Sequence, residues 1–420
     1  MTIEEAIAFI HGVSWLGSRL GLERIRDLLD RLGNPQRQLH FVHIAGTNGK
    51  GSVAAMTASV LSAAGLKIGL YTSPYISRFN ERMQINGIPI SDAELASVTE
   101  SVAGHARAMT DSPTEFELVT AIALTWFAQC GCDIVMLEVG MGGRLDATNV
   151  IDTPDCAVIT NIGLDHTQYL GETLEQIAVE KAGIIKPGCD VVLYQQTPSV
   201  IQTIEQICME RGARLYQTTP SALELLNDSF DGQCFRFDGG TYHIPLLGAH
   251  QLNNAAVVLK SISILRNKGW NIPEEAVKQG FATTVWPARF EIICRNPMFV
   301  VDGGHNPQCA ETVSANLKRY FTGIRHILLI GILADKDVAG MTDILSSAAD
   351  AFVTITPNSP RALSAQALAD RLAQYGKPIT VCDSISEGVA CAIRLAGTDG
   401  MVCSVGSLFI AGEVRACFGL

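Results

Sequence analysis

A glycine-rich loop carries the residue types that bind a phosphate group. It reads Gly46, Thr47, Asn48, Gly49, Lys50, Gly51 and Ser52, and it lies between an apolar segment and an alanine-rich one. Backbone N–H groups at a helix start attract an anion, a lysine neutralises it, and a serine hydroxyl reaches the accompanying magnesium ion. The loop predicts an ATP-dependent, magnesium-requiring enzyme.

The spacing within this loop differs from the common P-loop pattern G-x-x-x-x-G-K-[ST]. Only two residues separate its first glycines, and Gly51 stands between Lys50 and Ser52. A glycine-rich turn without a ligand is the alternative interpretation. The position between a predicted strand and a predicted helix argues against it.

Three further polar side chains stand at or just after the ends of predicted strands. They are Ser73, Glu138 and His166, and a glycine-rich segment follows Glu138. Parallel strands bring their carboxyl ends to one edge of a sheet, so we expect these residues to gather beside Ser52. Taken singly, each has a structural alternative: a turn serine, a charge at a helix start, or a histidine without a ligand.

The C-terminal part of the chain repeats this arrangement. Asp302 and His305 follow one predicted strand, and Ser407 follows a later one. A turn with a helix cap is the alternative for each. We expect these strand ends to face the ATP site across a cleft, as in many sites for two substrates.

The elements that position these residues alternate between strands and helices, which predicts a mainly parallel sheet covered by helices on both faces. Strands are predicted over 41–45, 68–72, 133–139, 156–160 and 190–194, and again over 298–302, 327–331, 352–356, 378–381 and 401–405. Near Pro287 the apolar residues follow neither the helical nor the strand spacing. The predicted fold class is therefore α/β, with a P-loop-type N-terminal domain, 1–286, and a smaller Rossmann-like C-terminal domain, 287–420.

Composition narrows the class of protein further. The 420 residues carry a net charge of −11, which opposes an extended grip on a nucleic-acid backbone. The N-terminus lacks the basic start and apolar stretch of a signal peptide, and no apolar run is long enough to span a bilayer. The 12 cysteines include no Cys-x-x-Cys pair. We expect a cytoplasmic protein with reduced thiols and neither a nucleic-acid nor a membrane partner.

Four motifs together resemble one known family. They are the loop 46–52, Leu-Glu-Val-Gly-Met-Gly-Gly-Arg-Leu-Asp-Ala-Thr-Asn at 137–149, Asn-Ile-Gly-Leu-Asp-His at 161–166 and Asp-Gly-Gly-His-Asn-Pro at 302–307. In this order, over nearly the whole chain, they resemble folylpolyglutamate synthases, including the bifunctional dihydrofolate synthase form, of the Mur ligase superfamily. The Mur ligases proper usually carry Thr-Thr after the loop lysine, so Gly51-Ser52 favours the folate branch.

The resemblance implies an ATP-dependent amide ligase. ATP would phosphorylate the free carboxylate of a folate or of dihydropteroate, and the amine of L-glutamate would then displace phosphate. The implied cofactors are ATP and Mg²⁺, with two ions, and a monomer is the family expectation.

The resemblance also implies roles for individual residues. Catalytic roles fall to Lys50, Lys181 and His305, with Lys181 carbamylated, and the residues expected to bind Mg²⁺ are Ser52, Ser73, Glu138 and His166. Besides the loop itself, the residues expected to contact ATP are Asn254, Arg289 and Asp302. The residues expected to bind the folate or glutamate are Phe79, Arg82, Asp146, His305 and Ser407. Gln251 replaces the asparagine that usually follows the histidine of this segment.

Two other functions stay open at this point. A Mur-type ligase acting on a UDP-sugar peptide would keep the acyl-phosphate chemistry and change the acceptor. A P-loop regulator would bind nucleotide without forming a product. A GTPase would need an Asn-Lys-x-Asp motif, whereas the Asn267-Lys268 pair continues with Gly269-Trp270.

Overall fold

Two compact units divide the chain in the computed structural model, which describes residues 1–13, 21–218 and 222–420. The first unit comprises Met1–Glu224, Phe235–His243 and Gln251–Thr284. The second comprises Leu225–Cys234, Ile244–His250 and Val285–Leu420. The second unit thus includes two short segments that precede its main part in the chain.

The first unit is built on eight strands. They are β1 (His40–Ala45), β2 (Ile68–Tyr71), β3 (Met83–Ile85), β4 (Ile88–Pro89), β5 (Ile134–Glu138), β6 (Cys156–Ile159), β7 (Asp190–Leu193) and β8 (Arg214–Gln217). Their order in the sheet is β4-β3-β2-β5-β1-β6-β7-β8. The run from β2 to β8 is parallel, and β3 and β4 pair antiparallel at one edge.

Helices connect and cover these strands. Those described before residue 285 are α1 (Ile3–Gly12), α2 (Glu23–Arg31), α3 (Lys50–Ala63), α4 (Asp92–Arg107), α5 (Glu115–Gln129), α6 (Thr167–Leu170), α7 (Leu174–Ala182), α8 (Pro198–Glu210), α9 (Ala249–Asn267) and α10 (Glu274–Ala282). Thr2, Ser91 and Thr114 precede α1, α4 and α5, and each forms a capping box with the glutamate three residues later. None of the described helices has the length and apolar character that a bilayer-spanning segment needs.

The central strands could be predicted from the sequence because they are buried. Every residue of β5, β6 and β7 is buried, as is β1 after its first residue. Parallel strands covered by helices on both faces read as continuous apolar runs, which is the predicted arrangement. The short β3–β4 hairpin and β8 contain no continuous apolar run, and the sequence analysis did not predict them.

A small sheet of three strands was also missed. It consists of β9 (Leu223–Ser229), β10 (Gly232–Phe237) and β11 (Gly240–Ile244), in the order β11-β10-β9. Four of the seven residues of β9 are exposed, so its sequence lacks the apolar alternation that marks a half-buried strand.

The second unit contains a six-stranded sheet in the order β12-β13-β17-β14-β15-β16. Its strands are β12 (Glu291–Arg295), β13 (Met298–Val301), β14 (Arg325–Ile330), β15 (Ala351–Thr354), β16 (Ile379–Val381) and β17 (Gly400–Val405). The helices are α11 (Pro307–Tyr320), α12 (Val338–Ser346), α13 (Ala365–Leu372), α14 (Ile385–Ala396) and α15 (Leu408–Ala416). The strands are parallel except β12, which pairs antiparallel with β13 at the edge. The two-domain α/β fold class is confirmed.

Candidate active site

The glycine-rich loop leaves the middle of the eight-stranded sheet. It follows β1, which lies between β5 and β6, and Ile44 of β1 is in register with Glu138 of β5. On the other side, the Thr47 and Asn48 N–H groups donate to the Asn161 carbonyl oxygen at 2.7 and 3.3 Å. The structure thus brings the loop, the end of β5 and the segment after β6 to one edge of the sheet.

Two glycines of the loop have conformations that other residues disfavour. Gly46 has a φ of 150° and Gly49 a φ of 89°. A Cβ atom on Gly46 would overlap the Thr160 hydroxyl, and one on Gly49 would lie 2.7 Å from the Asn254 side-chain oxygen. The loop therefore needs glycine at both positions for backbone geometry and for close packing.

Two lysine side chains converge on the loop. Lys50 begins α3, and its Nζ donates to the carbonyl oxygens of Gly46 at 3.2 Å and Thr47 at 3.1 Å. Lys181 at the end of α7 is only 4 % exposed, and its Nζ donates to the same Gly46 oxygen at 2.7 Å. Burial, with the nearby Lys50 charge, lowers the pKa of Lys181 to about 7. The loop carbonyls thus hold the Lys50 side chain against its own loop.

The Ser52 hydroxyl is buried in the first turn of α3 and belongs to a short polar chain. The Gln251 side-chain amide donates to it at 3.3 Å, and the Asn254 amide donates to the Gln251 oxygen at 2.9 Å. Both partners lie on α9. Gln251 thus connects the predicted magnesium ligand to the predicted ATP contact, Asn254.

The predicted metal ligands Ser73 and Glu138 lie together. Glu138 is 5 % exposed, and its carboxylate accepts a hydrogen bond from the Ser73 backbone N–H at 3.3 Å. His166 caps the short helix α6, with its backbone N–H on the Asp165 carboxylate at 2.9 Å and its imidazole 40 % exposed. Its segment is tied to the loop, because the Gly163 N–H donates to the Thr47 hydroxyl at 3.0 Å.

These donors suit magnesium held jointly with a nucleotide. Across the part of the chain that the structure describes, no three His, Cys, Asp or Glu side chains form a metal-binding group. The four predicted ligands instead offer one carboxylate, two hydroxyls and one imidazole. Mg²⁺ commonly keeps several waters and uses one or two protein carboxylates together with substrate phosphates, so this set fits.

Asp146 is buried in the glycine-rich segment after β5. Its carboxylate accepts hydrogen bonds from the backbone N–H groups of Met141 at 2.9 Å and Thr148 at 3.0 Å. Burial raises the pKa of Asp146, and these hydrogen bonds oppose the rise. The carboxylate therefore has a fixed orientation.

The predicted substrate loop carries an aromatic and cationic cluster. The Arg82 guanidinium carbon lies 5.5 Å from the centre of the Tyr75 ring and 5.3 Å from that of Phe79. The Glu81 carboxylate accepts hydrogen bonds from the N–H groups of residues 76–78, at 2.8 to 3.3 Å. Glu81 thus holds the backbone of the loop, and Arg82 packs against the two rings.

A second cluster lies in the C-terminal unit, where the remaining predicted site residues meet. Asp302 follows β13 and accepts hydrogen bonds from the N–H groups of Phe290 at 2.9 Å and Gly304 at 2.7 Å. The Arg289 charge lowers the pKa of Asp302, although burial raises it more strongly. Ser407 caps α15, and the Gly406 N–H bonds to the Gly304 carbonyl at 3.2 Å, next to His305. The ends of β13 and β17 therefore bring Asp302, His305 and Ser407 into one region, and Arg289, which precedes β12, lies near Asp302.

Comparison with known proteins decides the family. The Mur ligase middle domain matches residues 44–262, and the Mur ligase glutamate ligase domain matches residues 288–408. The dihydrofolate synthase/folylpolyglutamate synthase of Bacillus subtilis is 36 % identical over 429 residues, covering 98 % of each chain.

The chain belongs to the folylpolyglutamate and dihydrofolate synthase family of Mur ligases.

Solved structures of this family have the same fold. Escherichia coli FolC in complex with DHPP and ADP matches with a TM-score of 0.89 and 32 % identity, covering 100 % of this chain and 98 % of that one. Mycobacterium tuberculosis folylpolyglutamate synthase complexed with ADP and AMPPCP gives a TM-score of 0.88 and 33 % identity, covering 99 % of each. The predicted family and fold are confirmed, and ATP use is supported by these nucleotide complexes.

Some residues that shape this ligase site were missed from the sequence. Gln251 was noted only as a departure from the usual asparagine, and its place in the Asn254–Ser52 chain was not anticipated. Glu81 was missed as well. Its spacing from Arg78 is that of a capping box, but an arginine side chain cannot accept a hydrogen bond, so the sequence lacks the usual signal.

Proposed function

We propose that this ligase joins L-glutamate to the carboxylate of a folate with cleavage of ATP, and that it also converts dihydropteroate to dihydrofolate. The observation that carries the proposal is the convergence of Lys50 and Lys181 on the Gly46 carbonyl. It places the Lys50 charge and a second, buried amine at the loop of a chain whose relatives, over almost its whole length, are named dihydrofolate synthase and folylpolyglutamate synthase.

The reaction follows two balanced steps. A folate carboxylate oxygen attacks the γ-phosphorus of ATP, the bond to the β-phosphate oxygen breaks, and ADP leaves. The glutamate nitrogen then attacks the acyl carbon, phosphate leaves, and the amine proton passes to a base. Lys50 is assigned to offset the charge on the transferring phosphoryl group, which is the main electrostatic demand of the first step.

Magnesium would be held by Ser52, Ser73, Glu138 and His166, with two ions in all, and its chemistry there is neutralisation of phosphate charge. Asn254, Arg289 and Asp302 are assigned to ATP. The buried hydroxyl of Ser52 and the buried carboxylate of Glu138 support the metal assignment, because both are hard oxygen donors.

Lys181 is proposed to be carbamylated. CO₂ adds only to a neutral amine, and a lysine with a pKa of about 7 is largely neutral at physiological pH, unlike an ordinary lysine. Addition converts the amine and CO₂ to a carbamate and releases a proton. The resulting anion would help to hold the second metal ion or the substrate.

Phe79, Arg82 and Asp146 are assigned to the pteroate part of the substrate, and His305 and Ser407 to glutamate, with His305 in a catalytic role. The cluster of Arg82 with Tyr75 and Phe79 supports this, since cationic and aromatic side chains pack well against a flat aromatic group such as a pterin. We further propose that the enzyme works as a cytoplasmic monomer without nucleic-acid or membrane partners.

The test is a phosphate-release assay with ATP and L-glutamate. Dihydropteroate, dihydrofolate and tetrahydrofolate serve as separate acceptors, and a UDP-sugar peptide serves as the control acceptor. We expect release with at least one folate and none with the UDP-sugar peptide. Silence with all three pteroate compounds would remove the proposal, and ATP turnover without amide formation would favour a regulator.

A further inference from the structure

A buried chain of hydrogen bonds runs from β1 to the carboxylate of Asp146. His43, on β1, is fully buried, and its Nε2 lies 2.9 Å from the Thr148 hydroxyl oxygen. That hydroxyl lies 2.6 Å from Asp146 Oδ1, and Thr148 is fully buried as well. Three side chains from two segments of the first unit thus form one connected polar group inside its core.

The direction of each hydrogen bond follows from counting hydrogens. Both Asp146 oxygens accept backbone N–H groups, Oδ1 from Thr148 and Oδ2 from Met141, so the group is a carboxylate. The Thr148 hydroxyl must therefore donate its single hydrogen to Asp146, and it can only accept from His43. His43 therefore carries a hydrogen on Nε2.

The other ring nitrogen agrees with this tautomer. His43 Nδ1 is buried and has no hydrogen-bond partner among the described residues, as fits an unprotonated nitrogen. Burial and the nearby Lys186 charge lower the pKa of His43 to about 3, so the ring stays neutral at physiological pH. The simple alternative is a core histidine without further consequence, but an apolar residue would fill this β1 position without an unpaired nitrogen.

We propose that His43 and Thr148 are positioning residues for Asp146. The His43 N–H orients the Thr148 hydroxyl, and the hydroxyl fixes the rotamer of the Asp146 carboxylate at the substrate side of the glycine-rich segment. The inference rests on the proposed function, in which Asp146 contacts the pteroate part of the substrate. It predicts that loss of these hydrogen bonds weakens binding of the pteroate acceptor and leaves ATP binding unchanged.

The first test removes the hydroxyl and keeps its shape. Thr148→Val should raise KM for the pteroate acceptor about tenfold, the usual effect of losing a hydrogen bond to a charged group, with KM for ATP within about twofold of wild type. Thr148→Ser keeps the hydroxyl and should show a much smaller rise. Thr125→Val is the matched control, because the Thr125 hydroxyl is also buried and bonds only within α5, to the Ala121 carbonyl at 2.7 Å.

Substitution of His43 tests whether its N–H group is the donor to the Thr148 hydroxyl. His43→Gln places an amide N–H where Nε2–H lies and should largely restore the low KM, whereas His43→Leu should match Thr148→Val. Equal loss in both His43 variants would overturn the proposal, as would a fall in kcat with an unchanged acceptor KM in Thr148→Val. The Thr148 series decides the matter if His43→Leu does not fold.

A spectroscopic experiment separates this inference from the proposed function. Nitrogen-15 NMR of the full chain with labelled histidine should show His43 protonated on Nε2 and not on Nδ1, whatever substrate the enzyme uses. Protonation on Nδ1, or on both nitrogens at neutral pH, would overturn the hydrogen-bond chain. Absence of folate-dependent turnover in the wild type would instead remove the proposed function and leave this result standing.

Discussion

The side-chain nitrogens of Lys50 and Lys181 lie 3.2 and 2.7 Å from the same atom, the carbonyl oxygen of Gly46. One lysine comes from the loop itself and the other from α7, 135 residues away from Gly46 in the chain. Lys50 and the N-terminus of α3 create a positive potential at the start of that helix, and the buried Lys181 amine lies beside them. Such a potential suits a triphosphate.

Removal of the loop lysine should abolish turnover and leave the fold intact. Lys50→Ala is expected to lower kcat about 100- to 1,000-fold, because one preorganised charge on the transferring phosphoryl group is lost. Lys278→Ala is the matched control, since Lys278 is exposed and pairs only with Glu275, at 2.8 Å. Circular dichroism verifies folding, and unimpaired product formation by Lys50→Ala would contradict its role.

Carbamylation predicts that activity depends on CO₂. Removal of CO₂ and bicarbonate from the buffer should lower the rate, and added bicarbonate should restore it. Lys181→Met should cost about 10- to 100-fold in activity, as is usual for a group that supports a metal site. Carbon-13 bicarbonate should yield a carbamate signal in the wild type that Lys181→Met lacks. Activity indifferent to CO₂, with no such signal, would rule out the modification.

The lowered pKa of Lys181 also predicts a pH dependence of stability. Its folded-state pKa is about 7, whereas the unfolded chain has the ordinary lysine value of 10.5. Between these values the unfolded state binds more protons, so this residue makes the free energy of unfolding rise with pH in that window. Urea denaturation in CO₂-free buffer, where the amine is unmodified, should show a steeper rise from about pH 7 to about pH 9 for wild type than for Lys181→Met. Equal slopes would mean that Lys181 is not buried as described.

Loosening of the substrate loop should weaken folate binding. Glu81→Gln removes the charge that three backbone N–H groups share, at a cost of about 1–3 kcal/mol to the loop conformation. We expect a higher KM for the folate, an unchanged KM for ATP, and faster hydrogen exchange at residues 76–78. Glu210→Gln is the control, because Glu210 is exposed and bonds only Gln206, at 2.8 Å. Unchanged exchange at residues 76–78 would show that Glu81 does not hold the loop.

A methyl group at Gly46 should be poorly tolerated. Gly46→Ala places a Cβ on the Thr160 hydroxyl at a φ of 150°, which should cost about 2–5 kcal/mol in the free energy of unfolding. Gly104→Ala is the contrast, because Gly104 lies in α4 with no atom within 4 Å of an added Cβ, and it should be neutral or stabilising. Equal midpoints of urea denaturation for the two variants would contradict this account of the loop.

The sequence analysis predicted those strands whose pattern of apolar residues is visible within the strand itself. Strands β1, β5, β6 and β7 were predicted because each is a nearly continuous run of buried, mostly apolar residues. Strands β3 and β4 span three and two residues, too few to show any period. Strand β12 pairs antiparallel at an edge, which an alternation of strands and helices does not indicate.

Some candidate site residues also have a local sequence signal, and others do not. Lys50 and Ser52 could be selected as candidates because the glycine-rich motif that contains them is contiguous in the sequence. Lys181 has the sequence surroundings of an ordinary helix lysine, and its burial depends on a contact with distant Gly46. The link from Gln251 to Ser52 joins residues 199 positions apart, so no local pattern could predict it.

The most direct test of the central claim follows an oxygen atom. A folate labelled with oxygen-18 in its free carboxylate is incubated with ATP, L-glutamate and the enzyme, and the released phosphate is analysed by mass spectrometry. The account predicts that each turnover transfers one labelled oxygen from the folate to phosphate, and that the product gains a glutamyl residue. Unlabelled phosphate would mean that water attacks ATP directly, which would contradict activation of the folate carboxylate.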